Sequence, residues 1–480
     1  MKNLYLLLCL ALVITTGCLT NLSAQPVKGT AEVIILHVND MHARIDNMAK
    51  LAYLADSLRG KHDHVYLVAA GDNFTGNPVV DMVEDKGYPM IDLMNRCGFN
   101  LSTVGNHEFD LGQEKLNARV AQAEFPFISS NIDASAALLR QPEPYCLLKA
   151  GSWEIPFLGI IQLGEDGLPD SHPSRLEGLK FWDGIAKAKE YAWLKSNYGM
   201  LIGLTHLGVE GDEPLAKAMP EFDLIIGGHS HTTMTKPMMA GEVMIVQAGS
   251  GLRHVGKVTL SIAGGKITDR RFELISLSSI QGYDKEIESL IEKYNDNEEL
   301  NKPVGVALAP IEGEHELGSM MTDAITRRLG IDFAFQNIGG IRISSLPAGE
   351  IKLKDIYRLD PFGNMVVIYK MNREEIASLI CNSFNRGKQL DLEVSGMTYT
   401  VVTDQNGACR EVTMSDMNGI TLKPDHEYTV GINSYIAASY KFEHRDPGST
   451  SYLTSAQALI EYLKEVGQVN YSGVKRIFVK

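Results

Sequence analysis

Short apolar runs recur along the first half of the chain. Val33-Ile34-Ile35-Leu36, Val65-Tyr66-Leu67-Val68, Met200-Leu201-Ile202-Gly203-Leu204 and Leu224-Ile225-Ile226 are continuous rather than alternating. Such runs predict strands covered on both faces, and the helical stretches between them predict an α/β domain over residues 32–274. The pattern changes over residues 284–300. There Ile287, Leu290, Ile291 and Tyr294 fall at helical spacing among Glu and Lys, which predicts a surface helix linking two domains. A second domain begins after Pro303, with helices predicted at 318–329 and 373–384 and strands at 365–369 and 428–432. The division is a leader at 1–24, a first domain at 30–278, a linker helix at 279–301 and a second, smaller α/β domain at 302–480.

The first residues read as an export signal. Lys2 is followed by an apolar stretch over 4–14, too short to span a bilayer as a mature helix. Two cleavage readings compete. Leu22-Ser23-Ala24 before Gln25 suits an ordinary signal peptidase, and Thr16-Gly17-Cys18 suits a lipoprotein signal with a lipid anchor on Cys18. Thr15 stands where lipoprotein signals usually carry Leu, which favours the soluble form. The expected location is exported and periplasmic, soluble or lipid-anchored. No later stretch is apolar enough to predict a transmembrane span.

Composition narrows the partners. The 480 residues carry a net charge of −14. An acidic chain gains nothing from counterion release, so a nucleic-acid polymer is not the expected partner. Small phosphorylated ligands remain open, because a bound cation reverses the local field. Outside the leader lie Cys97, Cys146, Cys381 and Cys409, whose spacing fits neither a zinc ribbon nor a redox pair. They are read as free buried thiols, although export permits disulfides.

Five apolar runs lead directly into metal-ligand residue types. The segments are Asn39-Asp40-Met41-His42, Gly71-Asp72-Asn73, Gly105-Asn106-His107-Glu108-Phe109-Asp110, Thr205-His206 and Gly227-Gly228-His229-Ser230-His231. In α/β sheets the loops at the carboxyl ends of strands form the ligand crevice, so aligned strands would gather these side chains. Carboxylates, imidazoles and an amide oxygen suit zinc, manganese, iron or cobalt. Asp72 has two oxygens and can bridge two ions. The glycines at 71, 105, 227 and 228 permit tight turns. His37 and His254 are read as packed or loop histidines.

In this order the five segments resemble the calcineurin-like metallophosphoesterases, and Gly-Asn-His-Glu-Phe-Asp is typical of the 5′-nucleotidase branch. The resemblance implies a two-sheet α/β/β/α sandwich followed by a C-terminal substrate domain. It implies two divalent metal ions, one held by Asp40, His42, Asp72 and His231, the other by Asp72, Asn106, His206 and His229. His107 would stabilise the phosphoryl group or assist the leaving oxygen, with Asp110 orienting its ring. Such ions acidify a water and clamp phosphoryl oxygens.

In the second domain the resemblance is partial. The segment from Asn337 to Arg342 resembles one ending in a phosphate-binding Arg. Asp360-Pro361-Phe362-Gly363-Asn364 resembles one whose Phe stacks on a base and whose Asn contacts it. Tyr435 stands in for a second stacking Phe. Glu312-Gly313-Glu314-His315 occupies the place of a further Arg, and Ala438-Ser439-Tyr440-Lys441-Phe442 that of a segment with a ribose-holding Asp. The expected partner is a nucleotide or related small phosphoester, and the expected activity is release of phosphate from nucleoside 5′-phosphates. Alternatives are a UDP-sugar diphosphatase, a 2′,3′-cyclic phosphodiesterase, a broad phosphomonoesterase or a catalytically dead nucleotide-binding protein. The intact His107 and Asp110 argue against the last.

Overall fold

The structure is a computed structural model that describes residues 29–164 and 166–480. The leader, with Cys18, lies outside the described residues. The first domain is built on two six-stranded sheets. One runs, edge to edge, through Lys266–Ser276, His254–Ala263, Thr30–Val38, Val65–Ala69, Leu101–Thr103 and Phe127–Ile128. The other runs through Met238–Ala240, Val243–Val246, Leu224–Ile226, Ile202–His206, Trp153–Ile161 and Tyr145–Ala150.

Residue parity explains the continuous apolar runs. Val33, Ile35, Val68 and Leu101 of the first sheet meet Ile155, Phe157, Ile202 and Leu204 of the second in a core between the sheets. Their neighbours Ile34, Leu36, Val38 and Leu67 point the other way. They pack on Met48, Leu51, Ala55, Met90 and Met94 of helices Met48–Arg59 and Tyr88–Cys97. Beyond the second sheet, Leu158, Ile160 and Ile225 pack on Leu194, Leu215 and Ala216 of helices Trp193–Tyr198 and Val209–Ala218. Each central strand is therefore covered twice, and each fully buried Leu or Ile contributes roughly 1.5–3 kcal/mol. The order helix, sheet, sheet, helix is the expected sandwich.

Four strands in each sheet run parallel, from Thr30–Val38 to Phe127–Ile128 and from Trp153–Ile161 to Val243–Val246. Their carboxyl ends therefore share an edge, where the polar segments gather. Helix Lys285–Asn295 leaves this domain, its first turn capped by Asp284, whose carboxylate accepts Ile287 N–H at 2.9 Å. It buries Ile287 and Ile291 in the helix-side core of the first domain, and Tyr294 Oη donates to Asp92 at 2.8 Å. No described helix is long and apolar enough to cross a membrane.

The second domain centres on a five-stranded sheet ordered Leu392–Ser395, Phe333–Asn337, Tyr428–Asn433, Met365–Met371 and Ser449–Thr454. Phe335, Val394 and Ile432 of that sheet pack on Ile376, Leu379 and Ile380 of helix Arg373–Gly387. Helix Gly313–Leu329 starts five residues before the predicted position. Its first turn carries Glu314 and Glu316, which favour a helix N-terminus electrostatically but add no apolar period. The cysteine reading needs correction. Cys381 and Cys409 form a disulfide with Cα atoms 5.4 Å apart, tying helix Arg373–Gly387 to strand Cys409–Asp416. Cys97 and Cys146 are free. Packing brings the bonded pair together, and spacing gave no sign of it.

Candidate metal centre and substrate cavity

Asp40 follows strand Thr30–Val38, Asp72 follows Val65–Ala69, and Asn106 follows Leu101–Thr103. His206 ends its strand, and His229 and His231 follow Leu224–Ile226. Neighbouring loops bond to each other: Asp40 N–H donates to Gly71 O and His42 N–H to Asp72 O, both at 3.0 Å. Five of these residues hold left-handed backbones, with φ of 51° at Asp40, 47° at His42, 54° at Asp72, 78° at His229 and 54° at His231. Each such residue costs roughly 1–2 kcal/mol, and strain of this kind gathers at functional sites. Two glycines have no room for a side chain. A Cβ at Gly105 would lie 2.3 Å from Asp72 Oδ1, and one at Gly228 would lie 2.4 Å from Ala70 O.

The seven side chains converge in two overlapping groups. His42 Nε2 is 3.0 Å from His231 Nε2, which is 3.4 Å from Asp40 Oδ1. His42 Nε2 also lies 4.0 Å from both Asp40 Oδ1 and Asp72 Oδ2. In the second group, His206 Nε2 is 3.1 Å from Asp72 Oδ2 and 3.2 Å from Asn106 Oδ1. His229 Nδ1 is 3.1 Å from the same Asn106 oxygen. Asp72 therefore stands between the groups.

Electrostatics agree with a cation centre. Thr75 O lies 3.1 Å from His42 Nδ1 and Ala70 O lies 2.7 Å from His206 Nδ1. A carbonyl only accepts, so both Nδ1 atoms carry hydrogen and both Nε2 atoms face the centre. Burial and the Arg342 guanidinium hold the His42 pKa far down, and burial and His206 lower that of His229. Both are neutral imidazoles suited to ligation. Burial also works against charge on His206, but Asp72 and Asp40 outweigh it and push its pKa up to about 10. The carboxylates thus draw positive charge to this point. Buried carboxylate oxygens, imidazole nitrogens and one amide oxygen, converging within a few ångströms, fit divalent metal ions.

Beside the centre, His107 Nδ1 is 2.6 Å from Asp110 Oδ2, and His107 N–H donates to Asp72 Oδ1 at 2.8 Å. Burial lowers the His107 pKa, but Asp110 and Asp72 outweigh it and the net shift is upward. A cavity of about 520 Å³ opens from this edge and continues into the second domain. Asp72, Asn106, His107, Asp110, His229 and His231 line it from the first domain, and Asn337, Arg342, Phe362, Asn364 and Tyr435 line it from the second. Asp40, His42 and His206 lie buried behind it. The Phe362 ring is 5.7 Å from that of His107, with the Arg342 guanidinium 5.7 Å over it. Arg342 Nη2 reaches His42, 3.0 Å from Nε2 and 3.1 Å from Nδ1. Glu312, Glu314 and His315 do not line the cavity; His315 pairs at 2.6 Å with the buried Glu393.

Sequence reasoning missed two supporting residues. Fully buried Glu108 accepts N–H groups from Asp72, Asn73 and Gly105, and so ties the two loops together. Its place inside Gly-Asn-His-Glu-Phe-Asp was the available signal. Asp170 lies 3.7 Å from His229 Nε2, and its backbone oxygen accepts from Asn106 Nδ2 at 2.9 Å. It sits in a loop with no motif to mark it.

The chain matches two known families in sequence, calcineurin-like phosphoesterase over residues 33–233 and the 5′-nucleotidase C-terminal domain over residues 304–442. This chain belongs to the 5′-nucleotidase family. It is 26% identical to the 5′-nucleotidase of Vibrio cholerae, covering 95% of this chain and 93% of that one. It is 25% identical to the trifunctional nucleotide phosphoesterase protein YfkN of Bacillus subtilis over 92% of its own length, but spans only 34% of that protein. The 5′-nucleotidase precursor of Thermus thermophilus has the same fold, with a TM-score of 0.82 at 24% identity, covering 93% of this chain and 99% of that one. As a 5′-nucleotidase-family member with this donor set, the protein is a metal-dependent phosphoester hydrolase.

Proposed function

We propose that the protein releases phosphate from nucleoside 5′-phosphates in an oxidising, extracytoplasmic compartment. The observation that carries this reading is the single cavity that both domains line, with His107 and Asp110 from the first and Arg342, Phe362, Asn364 and Tyr435 from the second. In this reading Asp40, His42, Asp72 and His231 hold one divalent ion, and Asp72, Asn106, His206 and His229 hold a second. Bound ions would supply an acidified water and neutralise phosphoryl charge. The chain's own residues do the rest. Asp110 occupies Nδ1 of His107 and leaves Nε2 to face substrate. The raised His107 pKa favours an imidazolium, which can bind a phosphoryl oxygen or give a proton to the leaving oxygen. Arg342 brings a guanidinium to the same end, where its planar group suits phosphoryl oxygens. Phe362 and Tyr435 offer ring faces to a base, and Asn364 an amide.

Export is supported by the leader and by the Cys381–Cys409 bond, since disulfides persist in oxidising compartments. A substrate panel tests the activity. Nucleoside 5′-monophosphates, a 2′,3′-cyclic nucleotide, a UDP-sugar and an aryl phosphate are compared by kcat/KM with manganese present. The expected result is a clear preference for the 5′-monophosphates. Equal or better turnover of the cyclic ester, the diphosphate or the aryl ester would replace this reading.

A further inference from the structure

The second domain also contributes a carboxylate to the cavity wall. Asp391 immediately precedes strand Leu392–Ser395 and lines the cavity beside Ser383, Arg386, Tyr435 and Tyr440. Its backbone is fixed, because its carbonyl accepts Ile338 N–H at 2.8 Å, one residue past Asn337. Its side chain is fixed too. Tyr440 Oη and Ser383 Oγ both donate to Oδ2, at 2.6 and 2.9 Å. These two donors are 9% and 2% exposed, so water does not compete freely for them.

The other oxygen is left over. Among the described residues no donor ends on Oδ1, and no Lys, Arg or His nitrogen forms an ion pair with Asp391. Arg386 lies over the Tyr440 ring, with Cζ 4.1 Å from its centroid; burial works against its charge, but Tyr440, Tyr435 and Asp391 push its pKa up, without an ion pair to Asp391 forming. A carboxylate accepts hydrogen bonds and repels other anions. Arg342 and His107 offer donors to a phosphoryl group, whereas the free oxygen of Asp391 can only accept, so it suits neutral donors of a ligand.

We propose that Asp391 reads the neutral hydrogen-bond donors of the nucleoside, through the oxygen that Tyr440 and Ser383 leave free. The inference rests on the nucleotide reading of the cavity. Two groups carry such donors, the sugar hydroxyls and the exocyclic amine of the base. A hydrogen bond to a charged acceptor corresponds to about 10–100-fold in binding, so Asp391 would set how well nucleotides are told from simpler esters.

The test removes donors from the ligand and the acceptor from the protein in a crossed design. Wild type and Asp391→Asn are assayed on adenosine 5′-monophosphate, its 2′-deoxy and 3′-deoxy forms, the purine riboside analogue lacking the amine, and phenyl phosphate. In wild type, deleting the relevant donor should raise KM about 10–100-fold with kcat little changed. In Asp391→Asn the same deletion should cost under about two-fold. A deoxy effect assigns the sugar and an amine effect assigns the base. The wild-type arm needs no folded variant. If no donor deletion matters there, while adenosine monophosphate is still preferred over phenyl phosphate, Asp391 has no reading role and the nucleotide reading survives. If adenosine monophosphate is no better than phenyl phosphate, the nucleotide reading itself fails. Donor effects that persist unchanged in a folded Asp391→Asn also overturn the proposal.

Discussion

Glu108→Gln exchanges one oxygen for an NH₂ group, in a place where four donors converge. Oε2 accepts from Asp72 N at 3.0 Å and Gly105 N at 2.7 Å, and Oε1 accepts from Asn73 N at 2.7 Å and Asn73 Nδ2 at 3.0 Å. Whichever way the new amide turns, its NH₂ faces two of these donors. Two buried N–H groups then lose their acceptor, at about 1–3 kcal/mol each, or roughly 2–6 kcal/mol together. For a domain of this size that corresponds to a Tm drop on the order of 5–20 °C. The loss is local to the loops that carry Asp72 and Asn106, so affinity for a divalent ion should fall with it. Calorimetric unfolding and a manganese titration of the metal-free variant measure both. A Tm within a degree or two of wild type, together with unchanged manganese affinity, would show that Glu108 does not hold these loops.

Three further outcomes are expected. His107→Ala should lower kcat on the order of 10²–10³-fold while metal content, read by elemental analysis, stays at the wild-type level; loss of an ion with normal turnover at saturating metal would reassign the residue. Phe362→Ala should raise KM for a nucleotide about 10–100-fold and leave an aryl phosphate nearly unaffected, because base stacking is worth roughly 1–3 kcal/mol; equal losses on both substrates would make Phe362 a packing residue only. Burial pushes the Asp360 pKa from 3.8 up to about 6, against hydrogen bonds from Ser455 and the Phe362 amide. The folded state therefore holds this proton more tightly than the unfolded state, and its stability falls as pH rises from about 4 to 6, by up to about 3 kcal/mol. Asp360→Asn should flatten that slope in denaturant titrations, and an unchanged slope would place its origin elsewhere.

The central strands of the first domain were legible because they are buried on both faces, so Val33 to Leu36 reads as one unbroken apolar run. The donor residues were legible for a related reason, since each follows such a run within a few positions and parallel strands deliver them to one edge. Glu108 was not, because its partners are backbone N–H groups of other loops, which have no signature in sequence. Asp170 and Asp391 are single acidic residues beside exposed loops, and in sequence they look like any solvated charge. The Cys381–Cys409 bond depends on how helix Arg373–Gly387 packs against strand Cys409–Asp416, which the 28-residue separation does not encode. The early start of helix Gly313–Leu329 was hidden because its first turn is polar.

Metal stoichiometry set against activity tests the central claim most directly. The protein is stripped with chelator until elemental analysis finds no transition metal, then titrated with manganese by calorimetry while hydrolysis of a nucleoside 5′-monophosphate is followed in parallel. The account predicts no hydrolysis in the stripped protein and recovery that reaches its plateau at two ions per chain. It also predicts that Asp72→Ala, which removes the carboxylate standing between the two groups, weakens both binding events. Full activity in verifiably metal-free protein, or a plateau at one ion with Asp72→Ala binding as tightly as wild type, would contradict it.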